Sequence, residues 1–235
     1  MKISCIMPTT PSRKVYFPVA LKCFLNQTYA PEDLELVILD DNGAPIEWLF
    51  PDDPRIRCYH RPGRLTVGAK KNLLCEMANG EVIVQWDDDD WYAPQRIEKQ
   101  IEWLRVSQKP VTGFHRFFYW DEVSGKAYEY IFNGVGNYAS GSTQCYLKTW
   151  WEKHKFQCAS VAEDSAFSFE AERAGALFSV DADDLMVARG HHQNTWRIPF
   201  GAGNFPATDA RFLPAQFFQD IKENDLTSVV KQAIK

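Results

Sequence analysis

Residues 81–91 read Glu-Val-Ile-Val-Gln-Trp-Asp-Asp-Asp-Asp-Trp, an apolar run that ends in four consecutive aspartates, Asp87–Asp90. A short apolar run that stops at charged residues is typical of a strand buried in a sheet. Adjacent carboxylates repel one another and raise one another's pKa values, and a divalent cation relieves that repulsion. Because side chains alternate along an extended segment, Asp87 and Asp89 are expected to converge while Asp88 points elsewhere. The run predicts a metal or metal-nucleotide site; the alternative is an acidic cap before a helix.

The first hundred residues alternate between strand-type and helix-type segments. Strands are predicted at Ile3–Met7, Leu34–Leu39, Ile56–Tyr59 and Glu81–Trp86, and helices at Val19–Asn26, at Gly68–Asn79 with Gly80 as its stop, and from Pro94 to about Arg105. This alternation predicts an α/β fold with a mostly parallel, Rossmann-like sheet and helices on both faces. Ligands of such sheets lie outside the carboxyl ends of the strands, which here carry Pro8-Thr9-Thr10, Asp40-Asp41 and Asp87–Asp90.

The second half predicts a more mixed arrangement. A hairpin is predicted from Val111–Trp120 and Lys126–Phe132 around a Ser124-Gly125 turn. Further expectations are strands at Gly141–Leu147 and Ala176–Val180, a helix over Asp164–Ala174 that ends at Gly175, a loop over Gly190–Gly203 and a terminal helix over Phe212–Ile221. The aromatic residues of the hairpin are expected to serve mostly as packing. No linker composition separates the two halves, so we expect one domain.

Composition excludes several functional classes. The chain has 235 residues with 26 Lys+Arg against 31 Asp+Glu, a net charge of −5, which is not the basic footprint of a nucleic-acid binder. No stretch approaches the roughly 20 apolar residues of a membrane span, and Met1–Pro8 is too short for a signal peptide. The six cysteines form no Cys-x-x-Cys pair, so we expect reduced, buried thiols in a cytosolic protein.

Five segments in the same order resemble family 2 glycosyltransferases of the GT-A fold. They are Ile3–Thr10, Glu35–Gly43, Val67–Asn72, Glu81–Trp91 and Ala162–Phe167, and the likeness covers roughly residues 1–200. The resemblance implies a single catalytic domain over 1–235, with a nucleotide-sugar half (1–105), an acceptor and catalytic half (106–205) and a C-terminal helical segment (206–235). It implies a metal-dependent, inverting enzyme that moves a sugar from a nucleotide-diphosphate donor, with uracil the base by family habit, to an acceptor hydroxyl.

The same resemblance implies roles for individual residues. Asp164 would be the general base, with Glu163 beside it; the alternative is a pair of acids that favours a helix start. Mn²⁺ or Mg²⁺ would be held by Asp87, Asp89 and His191, with His192 the competitor for the histidine position. The donor-binding candidates are Pro8, Thr9, Thr10, Asp40, Asp41, Lys70, Lys71, Asp87, Asp88, Trp196 and Arg197.

Some of these positions keep a second interpretation. Asp40 and Asp41 also begin a turn-forming Asp-Asn-Gly segment. Lys70 and Lys71 stand where the family usually has Arg, so a bidentate fork is lost, and solvated lysines are the alternative. Residues 193–197, Gln-Asn-Thr-Trp-Arg, reverse the last two residues of the Gln-x-x-Arg-Trp signature of processive synthases, which implies a non-processive hexosyltransferase.

Two other functions remain open: a GT-A-like nucleotidyltransferase and a non-catalytic sugar-nucleotide binding module. Residues 9–13, Thr-Thr-Pro-Ser-Arg, contain no glycine, which counts against the phosphate loop that a nucleotidyltransferase needs. The acceptor is open among glycans, lipid-linked sugars, proteins and modified nucleic-acid bases. A cytoplasmic location is expected, with peripheral membrane contact through Phe212–Ile221 as the alternative to docking on the domain's own core.

Overall fold

The computed structural model describes residues 1–182 and 184–224, and that part of the chain is built on one sheet of eleven strands. The strands are β1 Ile3–Thr9, β2 Leu34–Asp41, β3 Ile56–Arg61, β4 Val82–Gln85, β5 Trp91–Tyr92, β6 Val111–Asp121, β7 Lys126–Ile131, β8 Cys145–Leu147, β9 Leu177–Asp181, β10 Met186–Gly190 and β11 Ala207–Thr208. The helices are α1 Phe17–Leu25, α2 Val67–Met77, α3 Arg96–Ser107, α4 Lys148–Trp151, α5 Glu163–Arg173 and α6 Ala215–Asn224.

The sheet joins a parallel half to a mixed half. Its main order is β11-β7-β6-β8-β4-β1-β2-β3, and the block β4-β1-β2-β3 is entirely parallel. Strand β8 is antiparallel to both β4 and β6 and so links the halves, while β9 and β10 run parallel to β6. The predicted α/β architecture, with a parallel first half and a mixed second half, is confirmed.

Helices cover both faces of the parallel block, as the strand-helix alternation predicts. Along β1, Cys5 and Met7 pack in one apolar cluster and Ile6 packs in another. The first cluster includes residues of α1, α3 and α6, and the second includes residues of α2 and α5. Strands buried on both faces read as continuous apolar runs, which explains the apolar runs of β1, β2 and β4.

The first strand is longer than its sequence predicts. It continues through Pro8 to Thr9, with Pro8 opposite Leu39 of β2. Pairing with β4 has already ended at Ile6 opposite Gln85, so Pro8 lies where only one neighbour is paired and its missing N–H is tolerated. The extension carries Thr9 to the edge where β2 and β4 also end.

The helix stop at Gly80 is a correction. Helix α2 ends at Met77 and residue 78 is extended, so Gly80 is not the left-handed residue after a helix. Gly80 instead packs against β1, where its N–H donates to Ser4 Oγ at 2.7 Å and a Cβ would lie 2.6 Å from the Ser4 nitrogen. Close backbone approach, not helix termination, is the reason for this glycine.

Predictions in the second half are partly wrong. Residues 141–143 form a 3₁₀ turn, and only Cys145–Leu147 of the predicted strand is extended. The sequence reading missed β10, so Gly190 ends a strand rather than beginning a loop. Phe212 lies in a 3₁₀ turn and is exposed, because the last helix begins only at Ala215. Residues 225–235 of the predicted C-terminal segment lie outside the described residues.

The six cysteines are unpaired, as predicted, but they do not all belong to the core. Four are buried, whereas Cys58 is half-buried and Cys158 is exposed. None of the helices over the described ranges combines the length and the apolar character that crossing a bilayer requires.

Candidate functional site

A cavity of about 820 Å³ opens at the edge where β1, β2 and β4 end. One side is lined by residues of these strand ends and of α2, and the other by the start of α5, by the ends of β6, β7 and β10, and by residues 194–205. The site therefore lies outside the carboxyl ends of parallel strands, as the topology requires. Of the predicted site residues, the cavity wall includes Pro8, Thr9, Thr10, Asp41, Lys70, Lys71, Asp87, Asp88, Asp89, Glu163, Asp164 and Trp196.

The four aspartates divide into two groups. Asp87, Asp89 and Asp90 each offer a carboxylate oxygen, and these oxygens lie within 4.8 Å of one another. Asp88 turns away and accepts hydrogen bonds from Thr9 Oγ1 and from Arg13. Asp87 and Asp89 converge as the extended geometry predicts, and Asp90 is a third member that the sequence reading did not include.

Arg13 neutralises part of this acidic group. Its Nε donates to both oxygens of Asp88, at 2.8 and 3.0 Å, and its Nη2 contacts Asp89. Burial alone would lower the pKa of Arg13, but the charges of Asp89 and Asp88 outweigh that effect and raise it. The sequence analysis did not predict a role for Arg13. Its position just after the first strand, whose end was expected to border the ligand, could have indicated one.

Asp87, Asp89 and Asp90, called here the triad, have carboxylates with different pKa values. Burial and the charge of Asp89 raise the pKa of Asp87 to about 7, and burial and the neighbouring aspartates raise the pKa of Asp90. Burial also acts to raise the pKa of Asp89, but Arg13 and His191 outweigh it and hold that pKa below its usual range. Two buried carboxylates and one half-buried carboxylate, with unequal pKa values, offer the oxygen ligands that a hard divalent cation such as Mn²⁺ or Mg²⁺ takes.

His191 reaches the triad and His192 does not. His191 Nε2 lies 2.9 Å from Asp89 Oδ2, and its ring stacks on Tyr16 with 4.0 Å between centroids. Asn194 Nδ2 donates to the same oxygen at 3.2 Å. His192 is exposed and lines a neighbouring cavity of about 510 Å³. Between the two histidines, the geometry therefore favours His191.

The two lysines of α2 are buried, so the solvated alternative is wrong for both. Lys70 Nζ lies 2.6 Å from Asp41 Oδ1 and donates to the Thr9 carbonyl at 2.6 Å. Lys71 Nζ donates to Glu163 Oε1 at 2.9 Å. Lys70 therefore binds the ends of β1 and β2 together, and Lys71 connects α2 to the start of α5.

Two predicted donor residues do not line the cavity. Side chains alternate along β2, so Asp41 faces the cavity while Asp40 faces away and pairs with His60 at 3.1 Å. Arg197 is exposed and lines only the neighbouring cavity, whose wall it shares with Trp196. Trp196 does line the main cavity and is half exposed.

The candidate base stands at the start of α5. Ala162, directly before it, has a left-handed backbone with φ of 63°, which turns the chain into the helix at Glu163 and Asp164. Asp164 Oδ1 accepts the N–H of Ser165 at 2.7 Å. A Cβ at Gly141 would lie 2.0 Å from Asp164 Oδ2, so the glycine makes room for the carboxylate.

Three tyrosines of the acceptor-side half also line the cavity, namely Tyr119, Tyr130 and Tyr138. The sequence reading assigned the hairpin aromatics mostly to packing. Phe117 and Tyr119 are two residues apart and share one face of β6, so alternation does not separate them. Phe117 packs in the core, and Tyr119, nearer the end of the strand, lines the cavity.

The family comparison bears directly on this arrangement. The model described as glycosyl transferase family 2 matches residues 4–167, well over half of the chain, and the match includes the aspartates and Asp164. The chain belongs to glycosyl transferase family 2. This family 2 chain is 27% identical over 184 residues to the putative colanic acid biosynthesis glycosyl transferase WcaA of Escherichia coli K12, covering 76% of the chain and 61% of that relative.

Other relatives point the same way. An uncharacterized glycosyltransferase of Haemophilus influenzae is 29% identical over 115 residues, covering 47% of the chain and 45% of the relative. The family 2 chain thus spans 45% to 61% of the length of these two curated relatives.

Solved structures share the fold. Residues 1–349 of Staphylococcus aureus TarS, solved with UDP-GlcNAc, match with a TM-score of 0.62 at 15% identity, covering 83% of this chain and 60% of that fragment. The mannosyltransferase PcManGT of Pyrobaculum calidifontis, solved with GDP-Man and Mn²⁺, matches with a TM-score of 0.63 at 13% identity, covering 83% of this chain and 58% of that one. These matches confirm the predicted GT-A fold.

Divalent cations are expected to stabilise the protein more strongly as pH rises. The pKa of Asp87 in the folded protein is raised to about 7. Protonated Asp87 therefore stabilises the fold at pH values below the pKa of an aspartate in the unfolded chain. This contribution is lost as pH rises through 7, where the carboxylate forms that a cation can bind. Mg²⁺ at a hundredfold excess over its Kd adds about 2.7 kcal/mol, or roughly 5–10 °C in Tm. We expect most of that shift at about pH 8 and little at about pH 5.5 by thermal denaturation. Equal Tm shifts at both pH values would contradict the assignment of Asp87 to a cation site.

Proposed function

We propose that this chain is a metal-dependent, inverting, non-processive hexosyltransferase that uses a nucleotide-diphosphate sugar, a UDP-sugar by family habit. One observation carries the proposal: a single cavity holds the triad of Asp87, Asp89 and Asp90 on one side and Asp164 on the other. These are the two groups that sugar transfer needs, one to manage a departing diphosphate and one to accept a proton.

The proposed donor site lies at the carboxyl ends of β1 and β2 and at the start of α2. Lys70 donates to the Thr9 carbonyl and forms an ion pair with Asp41, whose Oδ2 accepts the Leu65 N–H at 2.6 Å. This group is rigid and polar, as a nucleoside site requires. TarS and PcManGT have the same fold and were solved with UDP-GlcNAc and with GDP-Man, which supports a nucleotide-sugar donor here.

Asp87, Asp89 and Asp90 would hold the divalent cation, with His191 in contact with Asp89. PcManGT was solved with Mn²⁺, which supports the choice of Mn²⁺ or Mg²⁺. The bound cation would stabilise the negative charge of the nucleotide diphosphate as it leaves. Arg13, which contacts both Asp88 and Asp89, adds a fixed positive charge beside the same group.

The proton of the acceptor hydroxyl is taken up by a residue of the chain itself. Asp164 accepts the proton of the acceptor hydroxyl as its oxygen attacks the anomeric carbon of the donor sugar. The bond between that carbon and the diphosphate breaks in the same displacement, and the electron pair leaves with the nucleotide. Because the attack comes from the face opposite the leaving group, the configuration at the anomeric carbon inverts.

The two alternative functions have less support. A nucleotidyltransferase needs a phosphate-binding loop after β1, but that segment has no glycine and its Arg13 is engaged by Asp88 and Asp89. A non-catalytic binding module would not need a carboxylate at the position of Asp164. We propose that the enzyme acts in the cytoplasm on a donor made there.

A donor panel tests the proposal. The full chain is incubated with UDP-glucose, UDP-galactose, UDP-GlcNAc or GDP-mannose and with Mn²⁺ or Mg²⁺, and donor binding and nucleotide release are measured for wild type and Asp89→Asn. We expect one donor to bind in a metal-dependent way and Asp89→Asn to lose most of that dependence. If no nucleotide sugar binds or turns over with either metal, the proposed function is wrong.

A further inference from the structure

The acceptor-side half of the cavity is lined by Tyr119, Tyr130 and Tyr138, a set called here the tyrosine wall. Tyr119 and Tyr130 come from the paired strands β6 and β7. Tyr138 lies in the segment between β7 and β8, where its ring stacks on Phe132 at 4.6 Å between centroids. Packing against Phe117, at 5.3 and 5.0 Å, orients the rings of Tyr119 and Tyr130.

The hydroxyls of this wall are joined to the position next to the candidate base. Tyr138 Oη lies 2.9 Å from Ser165 Oγ, and Ser165 directly follows Asp164. The Tyr130 hydroxyl interacts with the side chains of Asn204 and Tyr138. A row of hydroxyl and amide groups therefore lies beside the carboxylate that would receive the acceptor's proton.

The tyrosine wall is uncharged near neutral pH. Burial raises the pKa of Tyr130 to about 12. Burial and the charge of Asp164 raise the pKa of Tyr138, and burial and the charge of Asp90 raise that of Tyr119. The wall thus offers both donors and acceptors without a net charge, which matches the hydroxyls of a sugar.

Four of the five cations in the described cavity wall already pair with acidic side chains. Lys70 pairs with Asp41, Lys71 with Glu163, and Arg189 with Glu122. Arg13 pairs with Asp88 and Asp89, and the fifth cation, Arg64, is exposed and directly precedes Leu65, whose N–H donates to Asp41 in the proposed donor site. A phosphate or carboxylate next to Asp164 would therefore meet like charge, and Lys71, which interacts with Asp164, is already paired with Glu163.

Aromatic rings surround the opening of the acceptor-side half of the cavity. Trp196 is 50% exposed, and its ring lies 5.8 Å from that of Phe205, which in turn lies 5.1 Å from the ring of Tyr130. Sugars present apolar C–H faces as well as hydroxyls, and exposed aromatic rings bind such faces. Apolar rings at the cavity opening and the hydroxyls of the tyrosine wall deeper inside therefore suit a pyranose ring and the sugar unit linked to it.

We infer that the tyrosine wall, Asn204 and Trp196 form the acceptor subsite, and that it takes an uncharged sugar unit of a glycan or glycoside rather than a phosphorylated or uronic sugar. This inference rests on the proposed function for its reaction, but the binding selectivity that it states is measured without turnover. Tyr130 and Trp196 are the residues expected to determine acceptor affinity.

Saturation-transfer NMR on the full chain with UDP and diamagnetic Mg²⁺ tests the selectivity. The probes form six matched pairs. Methyl glucoside, methyl galactoside and methyl mannoside are each compared with the corresponding uronic acid and, separately, with the corresponding 6-phosphate. We expect the neutral member of at least one pair to bind about tenfold or more tightly than its charged partners. If charged partners bind as well as neutral ones, or if no neutral glycoside binds, the inference is overturned.

Variants locate the binding. Trp196→Ala and Tyr130→Phe are expected to raise the Kd for the neutral glycoside roughly 5- to 10-fold, with Trp48→Ala, a tryptophan 73% exposed elsewhere, as the matched control. In transfer assays the same variants should raise the acceptor KM more than the donor KM. Unchanged Kd in both variants would overturn the subsite. Selective glycoside binding without consumption of any donor would defeat the proposed function while leaving this inference standing.

Discussion

Asp164→Asn is expected to lower the rate of sugar transfer by roughly 10²–10⁴-fold, the usual contribution of a positioned general base. The amide is the same size and still accepts the Ser165 N–H, whose bond to Asp164 Oδ1 is 2.7 Å. The contact with Gly141 is also kept. The variant therefore removes the ability to accept a proton while leaving the shape of the cavity intact.

The measurement is nucleotide release at saturating donor and acceptor, with donor affinity measured separately. Asp52→Asn, an exposed aspartate, is the matched control and should behave as wild type. Because Asp164 is assigned to the acceptor's proton and not to the donor, the donor Kd is expected to change by less than about threefold. Transfer that persists at the wild-type rate in Asp164→Asn would remove this residue from the mechanism.

The strand ends were predictable because their signals are local. The run before Asp87 is a continuous apolar stretch, and such runs appear in strands buried on both faces. The convergence of Asp87 with Asp89 follows from alternation within one extended segment. The end of α5 was equally readable, since Gly175 has a left-handed φ of 64° directly after the helix.

The rest of the site depends on contacts between distant segments. Arg13 meets Asp88 across 75 positions, and His191 meets Asp89 across 102. Nothing near Lys71 in the sequence shows that it is buried against Glu163, 92 residues away. Strand β10 was missed for a related reason, because its pairing with β5 and β6 is set by the tertiary fold rather than by its own pattern.

Lys71→Met is expected to destabilise the protein by about 3–5 kcal/mol, because it leaves a carboxylate buried without its partner. Lys71 is 4% exposed and Glu163 is 5% exposed, and their 2.9 Å contact connects α2 to α5. Lys71 also interacts with the charge of Asp164: burial acts to lower the pKa of Lys71, and the charges of Glu163 and Asp164 outweigh burial and raise it. Denaturant unfolding measures the change in free energy of unfolding.

The double variant Lys71→Met with Glu163→Gln is expected to recover a large part of that loss, because the unpaired charge is then absent. Lys99→Met is the matched control: Lys99 pairs with Glu102 at 3.1 Å, but both side chains are about half exposed, so its loss should cost less than about 1 kcal/mol. If Lys71→Met costs no more than Lys99→Met, the buried pair does not hold α5 in place. If the double variant regains stability but not transfer, the pair positions Asp164 as well as stabilising the fold.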